Sequence, residues 1–159
     1  MKKIGLFLLV VLLFNAAFSQ ALKKVKIKDV VNMIDTTQHP LVVNFWASWC
    51  QPCVHEIPWF EKAVAELKDK NVELILVSLD FRTSYPKELL SFINKKGYTS
   101  RIVWLDETNA DYFCPLIDEK WDGNIPVTIM VNHKKNYRKF FSEQIPEAKL
   151  KLELKKLVE

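Results

Sequence analysis

The sequence predicts a single α/β domain with a central mixed β-sheet flanked by helices. The chain has 159 residues, a length typical of one domain, and 49% of them are apolar, enough for a well-buried core. The predicted elements follow the order β-α-β-α-β-(α)-β-β-α. Because the early strands alternate with helices, we expect them to pair in parallel, whereas the closing hairpin adds an antiparallel edge.

Two apolar runs predict the strands of the first half of the domain. Residues 41–46 (LVVNFW) and 72–79 (VELILVSL) have the length and apolar content of strands that are covered on both faces. A short helix is expected around residues 29–34, and a longer helix between the two strands is expected to end near Lys70. Five apolar residues are predicted to form the inner face of that longer helix: Val54, Ile57, Ala63, Val64 and Leu67.

The middle of the chain contains shorter elements. Pro86 is predicted to begin a helix that runs to Lys96 and ends at Gly97, since proline is tolerated in a first helical turn and glycine after the last. A third strand is expected at residues 101–105, followed by one or two helical turns at residues 109–117. These elements continue the alternation of helix and strand.

The end of the chain predicts a β-hairpin and then a helix. Residues 126–132 and 137–142 have the composition of strands, and residues 133–136 (HKKN) form the turn between them. Pro146 is expected to begin the final helix. A strand stays open as an alternative there because three leucines alternate with charged residues: Leu150, Leu152 and Leu154.

The N-terminus predicts a secretory signal peptide at residues 1–19. Two lysines precede an apolar run at residues 4–14, and the small residues Ala17 and Ser19 occupy the −3 and −1 positions of a cleavage site. The run is shorter than the ~20 residues that span a bilayer, so we expect membrane attachment only if the leader stays uncleaved. The mature domain is then residues 20–159, in the periplasm or elsewhere outside the cytoplasm, where disulfides persist.

Charge and cysteine content exclude two classes of protein. The formal net charge of +4 is small and scattered, which argues against a nucleic-acid partner. Three cysteines are too few for a disulfide-stapled scaffold, and an odd number leaves one thiol without an intramolecular partner. We expect Cys114 to be a buried apolar residue. The alternative is a third thiol that traps a partner or an oxidised intermediate.

The motif Cys50-Gln51-Pro52-Cys53 lies where a strand is predicted to lead into a helix. Free backbone N–H groups and the helix dipole favour an anion at this position, which lowers the pKa of the Cys50 thiol. Cys53 lies three residues further on, on the same helical face, and can attack a mixed disulfide that Cys50 forms. Pro52 is tolerated because first-turn N–H groups have no helical partner. The motif therefore predicts redox chemistry.

Other functions of a C-x-x-C motif fit this sequence less well. A structural zinc site needs two further ligands at suitable spacing, and the remaining cysteine and histidines show no such pattern. Covalent haem attachment requires C-x-x-C-H, but here Val54 separates Cys53 from His55. A purely structural disulfide between the two cysteines is a further alternative. Their position at a helix start, directly after a tryptophan, favours a redox pair instead. We therefore expect no metal and no cofactor.

The segment 44–58 (NFWASWCQPCVHEIP) matches the pattern N-F-W-A-x-W-C-x-P-C-x-x-E-h-P almost letter for letter. In this segment, and in Ile125-Pro126 before a strand, the chain resembles the exported TlpA/ResA-like thiol–disulfide oxidoreductases of the thioredoxin superfamily. The resemblance extends over residues 23–158 and implies a thioredoxin fold. It also implies that Pro126 is a cis-proline beside the cysteines, and that the neighbouring backbone pairs with an extended substrate segment.

Glu56 matches the acidic residue that lies near the cysteine pair in this family. The resemblance implies that a partly buried Glu56 with a raised pKa relays the proton that Cys53 must lose. The alternative is an exposed glutamate that stabilises the first helical turns. Asn44 stands where cytoplasmic thioredoxins carry a buried aspartate, and because asparagine cannot take a proton, Glu56 is the remaining candidate. The residues expected to contact substrate are Trp49, Pro52, Ile125 and Pro126.

The resemblance implies an extracytoplasmic thiol–disulfide oxidoreductase in which Cys50 attacks substrate disulfides and Cys53 resolves the mixed disulfide. We expect the protein to be a monomer. We expect it to act as a reductant, since Gln51 and Pro52 place no charge beside Cys50. Its partners would be disulfide-containing proteins and an upstream dithiol electron donor, and cytochrome c maturation is one pathway that the family suggests. The alternatives are a disulfide oxidase or isomerase, or a copper-binding chaperone that uses both cysteines and a histidine.

Overall fold

The computed structural model describes residues 22–159, so the predicted signal peptide lies outside the described residues. The strands are β1 (Lys23–Val25), β2 (Leu41–Trp46), β3 (Glu73–Ser78), β4 (Arg101–Leu105), β5 (Val127–Asn132) and β6 (Tyr137–Phe141). The helices are α1 (Ile27–Thr36), α2 (Gln51–Glu66), α3 (Lys87–Lys96), α4 (Ala110–Ile117) and α5 (Glu147–Val158). Within residues 22–159, no helix has the length and apolar content needed to cross a membrane.

The six strands form one mixed sheet in the order β1-β4-β3-β2-β5-β6. The first four in this order pair in parallel, and β5 and β6 add an antiparallel edge. In the centre, Asn44 of β2 lies between Leu76 of β3 and Thr128 of β5. The predicted α/β class and mixed sheet are therefore confirmed, and the strand that leads to the cysteine motif occupies the middle of the sheet.

Helices cover both faces of the sheet, because successive side chains of a strand point to opposite sides. Val42 of β2 packs with the buried faces of α2, α3 and α5, while its neighbour Val43 packs with α1 and α4. The buried face of α2 consists of Cys53, Glu56, Ile57, Phe60 and Ala63. Ile57 and Ala63 were predicted there, but Val54, Val64 and Leu67 are only partly buried. The helix thus turns its cysteine and its glutamate inward.

The main differences from the predicted elements lie at the two ends of the domain. Strand β1 was not predicted, because its KKV sequence has only one buried residue and its pairing depends on β4. At the other end, α5 is a helix, which excludes the alternative strand. Leu150 and Leu154 are buried, whereas Leu152 is 53% exposed, so the three leucines follow helical spacing around one buried face.

Candidate active site

Cys50 and Cys53 lie where β2 passes through a short loop into α2, and they form a disulfide with a Cα–Cα distance of 5.3 Å. Cys50 is the N-cap residue of α2, and its sulfur accepts a hydrogen bond from the Cys53 backbone N–H at 3.3 Å. Cys50 is 6% exposed and Cys53 is fully buried. The N-terminal N–H groups of α2 therefore face the more accessible sulfur, where they favour a thiolate.

Asp80, which follows β3, holds the loop that precedes Cys50. Its buried carboxylate accepts hydrogen bonds from the backbone N–H and hydroxyl of Ser48 and, at 2.8 Å, from the hydroxyl of Ser78. The indole N–H of Trp104 donates to the Asp80 carbonyl at 2.8 Å. The sequence analysis missed this residue. The signal available in the sequence was an acidic residue directly after a buried strand of the sheet.

The Ile125–Pro126 peptide bond is cis, as the family resemblance implied. The carbonyl oxygen of Ile125 lies 3.8 Å from Cys50 Sγ. The preceding loop is held by Trp121, which is buried and donates its indole N–H to the Asn124 carbonyl at 2.8 Å. The predicted substrate-contacting residues Ile125 and Pro126 are thus brought beside the cysteine pair from a segment about 75 residues away in the sequence.

Glu56 is fully buried one turn beyond Cys53 on the same face of α2, which excludes the alternative of an exposed helix glutamate. Its carboxylate accepts hydrogen bonds from Asn44 Nδ2 to Oε1 and from the Ile145 backbone N–H to Oε2, both at 2.9 Å. Burial raises the pKa of Glu56 to about 7, although both hydrogen bonds favour the charged form and lower it. Glu56 can therefore exchange a proton near neutral pH.

Asn44 connects Glu56 to the neighbouring strand. Its Nδ2 also donates to the hydroxyl of Thr128 on β5 at 2.9 Å, and its Oδ1 has no hydrogen-bond partner within the described part of the chain. A side-chain amide carries both a donor and an acceptor. Rotating it by half a turn would present Oδ1 to a protonated Glu56, so Asn44 can form a hydrogen bond with either protonation state of the acid.

The surface around the cysteines carries the remaining predicted residues. Trp49 is 53% exposed and stacks on Phe81, with ring centroids 5.8 Å apart. Pro52 is exposed, and its carbonyl accepts a hydrogen bond at 3.1 Å from Gln144. The sequence analysis identified neither Phe81 nor Gln144, because each reaches the site from a distant segment.

Comparison with known proteins places this site in a family. Residues 14–139 match the sequence profile described as the AhpC/TSA family, which is most of the chain. The chain belongs to the AhpC/TSA family. This AhpC/TSA-family chain is also 42% identical, over 53 residues, to a protein named thiol-disulfide oxidoreductase ResA from Oceanobacillus iheyensis. That match covers 33% of the chain and 28% of the relative, so it spans less than a third of the relative's length.

Solved structures of other proteins share the fold of this chain. A thioredoxin-related protein from Neisseria meningitidis serogroup B superposes with a TM-score of 0.64 at 22% identity, over 78% of this chain and 89% of that one. StoA from Bacillus subtilis superposes with a TM-score of 0.54 at 25% identity, over 75% of this chain and 84% of that one. The thioredoxin-like fold is confirmed, and the AhpC/TSA-family chain is TlpA/ResA-like within the thioredoxin superfamily.

Cys114 of the AhpC/TSA-family chain is separated from the cysteine pair by the sheet. It is 2% exposed and packs with α1 and α4, whereas Cys53 packs in the cluster on the other face. Burial, with smaller contributions from Asp122 and Asp111, raises the pKa of the Cys114 thiol to about 11. The prediction of a buried cysteine at this position is confirmed.

No observation favours the copper-binding alternative. Within residues 22–159, no three side chains of histidine, cysteine, aspartate or glutamate are grouped so that they could hold a metal ion. The histidine nearest in sequence, His55, lies against Trp59 and has its Nδ1 3.2 Å from Gln144 Nε2. The site of the AhpC/TSA-family chain thus consists of the Cys50–Cys53 disulfide and the carboxyl of Glu56 on the same helical face.

Proposed function

We propose that this protein is an extracytoplasmic thiol–disulfide oxidoreductase that acts as a reductant. The observation that carries the proposal is the arrangement of the cysteine pair. Cys50 keeps 6% exposure at the N-terminus of α2, whereas Cys53 is fully buried on the same helical face as Glu56. A more exposed nucleophile backed by a fully buried thiol and a titratable acid is the arrangement that two-step disulfide exchange requires.

The reaction transfers two electrons from the protein to the substrate. The Cys50 thiolate attacks one sulfur of a substrate disulfide, the substrate S–S bond breaks, and the second substrate sulfur leaves as a thiolate that takes a proton from solvent. Cys53 then loses its proton, and its thiolate attacks Cys50 Sγ. The mixed disulfide breaks, the substrate leaves as a dithiol, and the Cys50–Cys53 disulfide forms. An upstream dithiol donor returns the electrons.

Glu56 is the proposed acceptor of the Cys53 proton. A pKa of about 7 leaves a large fraction of the carboxylate ionised, and able to accept a proton, at neutral pH. Asn44 and Ile145 hold the carboxylate by its two oxygens. The thiol and the acid are both sealed from solvent on one helical face, which favours transfer between them over transfer to bulk water.

The substrates we propose are disulfide-containing proteins whose extended segments lie along the backbone at Ile125 and Pro126. Trp49 and Pro52 border the same entrance to Cys50. Apocytochrome segments that must be reduced before haem attachment belong to this class, which makes cytochrome c maturation one candidate pathway. We propose a monomer outside the cytoplasm, attached to a membrane only through an uncleaved leader, with no nucleic-acid partner.

The direction of electron flow separates this proposal from a disulfide oxidase or isomerase with the same cysteines. A strong oxidant needs an unusually stabilised Cys50 thiolate, and the intervening residues Gln51 and Pro52 bring no charge to provide it. Known dithiol proteins span about 150 mV between the reducing and the oxidising extremes, equivalent to roughly 7 kcal/mol.

The reduction potential of the pair tests the proposal. Mature protein carrying Cys114→Ser would be equilibrated with thiol buffers, and its redox state would be read by alkylation and tryptophan fluorescence. We expect a potential near or below about −200 mV. A potential near about −120 mV would identify an oxidase that donates its disulfide and would overturn the reductant assignment.

A further inference from the structure

Two exposed aromatic rings lie directly beside the reactive cysteine. Five large apolar side chains are exposed within the described residues: Trp49, Phe81, Tyr112, Leu116 and Leu152. Trp49 and Phe81, exposed by 53% and 65%, stack on each other with an interplanar angle of 20°. A stacked apolar pair open to solvent marks a contact surface for another molecule.

The backbone that carries this aromatic pair is fixed from below. Phe81 directly follows the buried Asp80, whose carboxylate binds Ser48, the residue before Trp49. The Trp104 indole in turn holds the Asp80 carbonyl. Asp80 therefore fixes the backbone of the residue that precedes each ring. Because the two rings are held in place before a partner binds, binding orders few additional groups and costs little entropy.

Phe81 also lines a cavity of about 260 Å³. Its apolar wall contains Phe81, Trp104 and Phe113. Besides Asp80, two carboxylates line it: Asp106 is paired with Arg82 at 2.7 Å and with Lys26 at 3.2 Å, and Glu107 accepts the Ile27 backbone N–H at 3.3 Å. The volume lies below the roughly 300–1,000 Å³ of small-molecule pockets. The cavity thus suits a single apolar side chain.

We infer that Trp49 and Phe81, with the cavity that Phe81 lines, bind a large apolar side chain located next to the reacting cysteine of a polypeptide substrate. The inference rests on the proposed thiol–disulfide exchange, because a substrate cysteine must reach Cys50 and its flanking residues then pass over this surface. Phe81 is thereby a specificity-determining residue, and substrates with leucine or an aromatic residue beside the cysteine are preferred over substrates with small polar residues there.

The test uses two disulfide-bonded peptides of equal length and charge that differ only in carrying leucine or serine beside the cysteine. Reduced wild-type protein is expected to react with the leucine peptide about tenfold faster in kcat/KM, the factor that partial burial of one leucine supplies. In Phe81→Ser the two rates should lie within about twofold of each other. Leu152→Ser, which removes an exposed apolar side chain on α5, should keep the tenfold ratio.

The rate ratio within each variant makes the outcomes distinct. A tenfold ratio that persists in Phe81→Ser, or in Phe81→Thr should the first variant fail to fold, overturns the inference. So does a wild-type protein that reduces hydroxyethyl disulfide but does not distinguish the peptides, and in that case the proposed function stands. A wild-type protein that reduces neither kind of disulfide overturns both.

Discussion

Glu56 experiences opposing influences on its pKa. Removal from water disfavours the carboxylate, whereas the N–H groups of Asn44 and Ile145 favour it. Burial is the larger influence, and the resulting pKa of about 7 lies above the usual 4.5. A fully hydrated carboxylate would be ionised throughout the neutral range and would accept a thiol proton poorly, so the acid's usefulness depends on this burial.

Glu56→Gln should slow the second step of the exchange, in which Cys53 attacks the mixed disulfide. Wild-type protein should show a rate that rises with pH through about 7, because only the ionised carboxylate accepts the Cys53 proton. The variant should lose about 10²-fold in rate near pH 7, together with that dependence. Rapid mixing of the reduced protein with a chromogenic disulfide separates the two steps.

Glu66→Gln provides the control, since Glu66 belongs to the same helix but is exposed. Its rate and pH profile should match those of the wild-type protein. An unaltered pH profile in Glu56→Gln would remove Glu56 from the proposed proton transfer.

At the scale of the element, the conformation of the loop between β2 and α2 is held by a residue outside both elements. Asp80, just beyond β3, supplies the acceptor for the Ser48 backbone N–H and hydroxyl. Loops usually satisfy such groups with water, but this one is tied to the neighbouring strand of the sheet. The cysteine motif therefore takes its position from β3 as well as from the strand that precedes it.

Asp80→Ala should lower the free energy of unfolding by about 3 kcal/mol, because it leaves the buried hydroxyl of Ser78 and the partly buried N–H and hydroxyl of Ser48 without their acceptor. Asp69→Ala removes an exposed carboxylate that is paired with the neighbouring, exposed Lys70, and should change stability by less than about 0.5 kcal/mol. Chemical denaturation of the oxidised proteins measures both. Equal stabilities for the two variants would show that the Asp80 contacts are not important for holding the loop.

At the scale of the whole molecule, the sheet order brings separate parts of the chain to one edge. The carboxyl ends of β2 and β3 lie beside the start of the antiparallel β5, where Phe45 pairs with Val127. This places the cysteines, Asp80 and Pro126 together. The segment before α5 then closes over Glu56 through the Ile145 N–H, so the packing of the last helix completes the site.

Leu154 provides a test of how strongly α5 is held to the domain. It is 1% exposed, and Leu154→Ala should cost about 3 kcal/mol of unfolding free energy through lost burial and the cavity left behind. Leu152→Ala, on the exposed face of the same helix, should change it by less than about 0.5 kcal/mol. Thermal and chemical unfolding compare the pair, and similar losses in both would contradict the observed orientation of α5.

Local patterns in the sequence were sufficient to predict most of the helices and strands and the reactive pair. The apolar runs at 41–46 and 72–79 predicted the two central strands, and the C-x-x-C spacing predicted two cysteines on one face of a helix start. Each of these depends on contacts between residues close together in the chain. The short strand β1 escaped prediction because its three residues carry no periodicity of their own.

Only the tertiary structure decided what surrounds the cysteine pair. Glu56 matched a family pattern, but its burial and its bonds to Asn44 and Ile145 depend on segments 12 and 89 residues away. Asp80 and Phe81 likewise reach the motif from across the sheet. The physical reason is that hydrogen-bond partners, burial and hence pKa are set by segments distant in the sequence, whereas helix starts and strands are specified by adjacent residues.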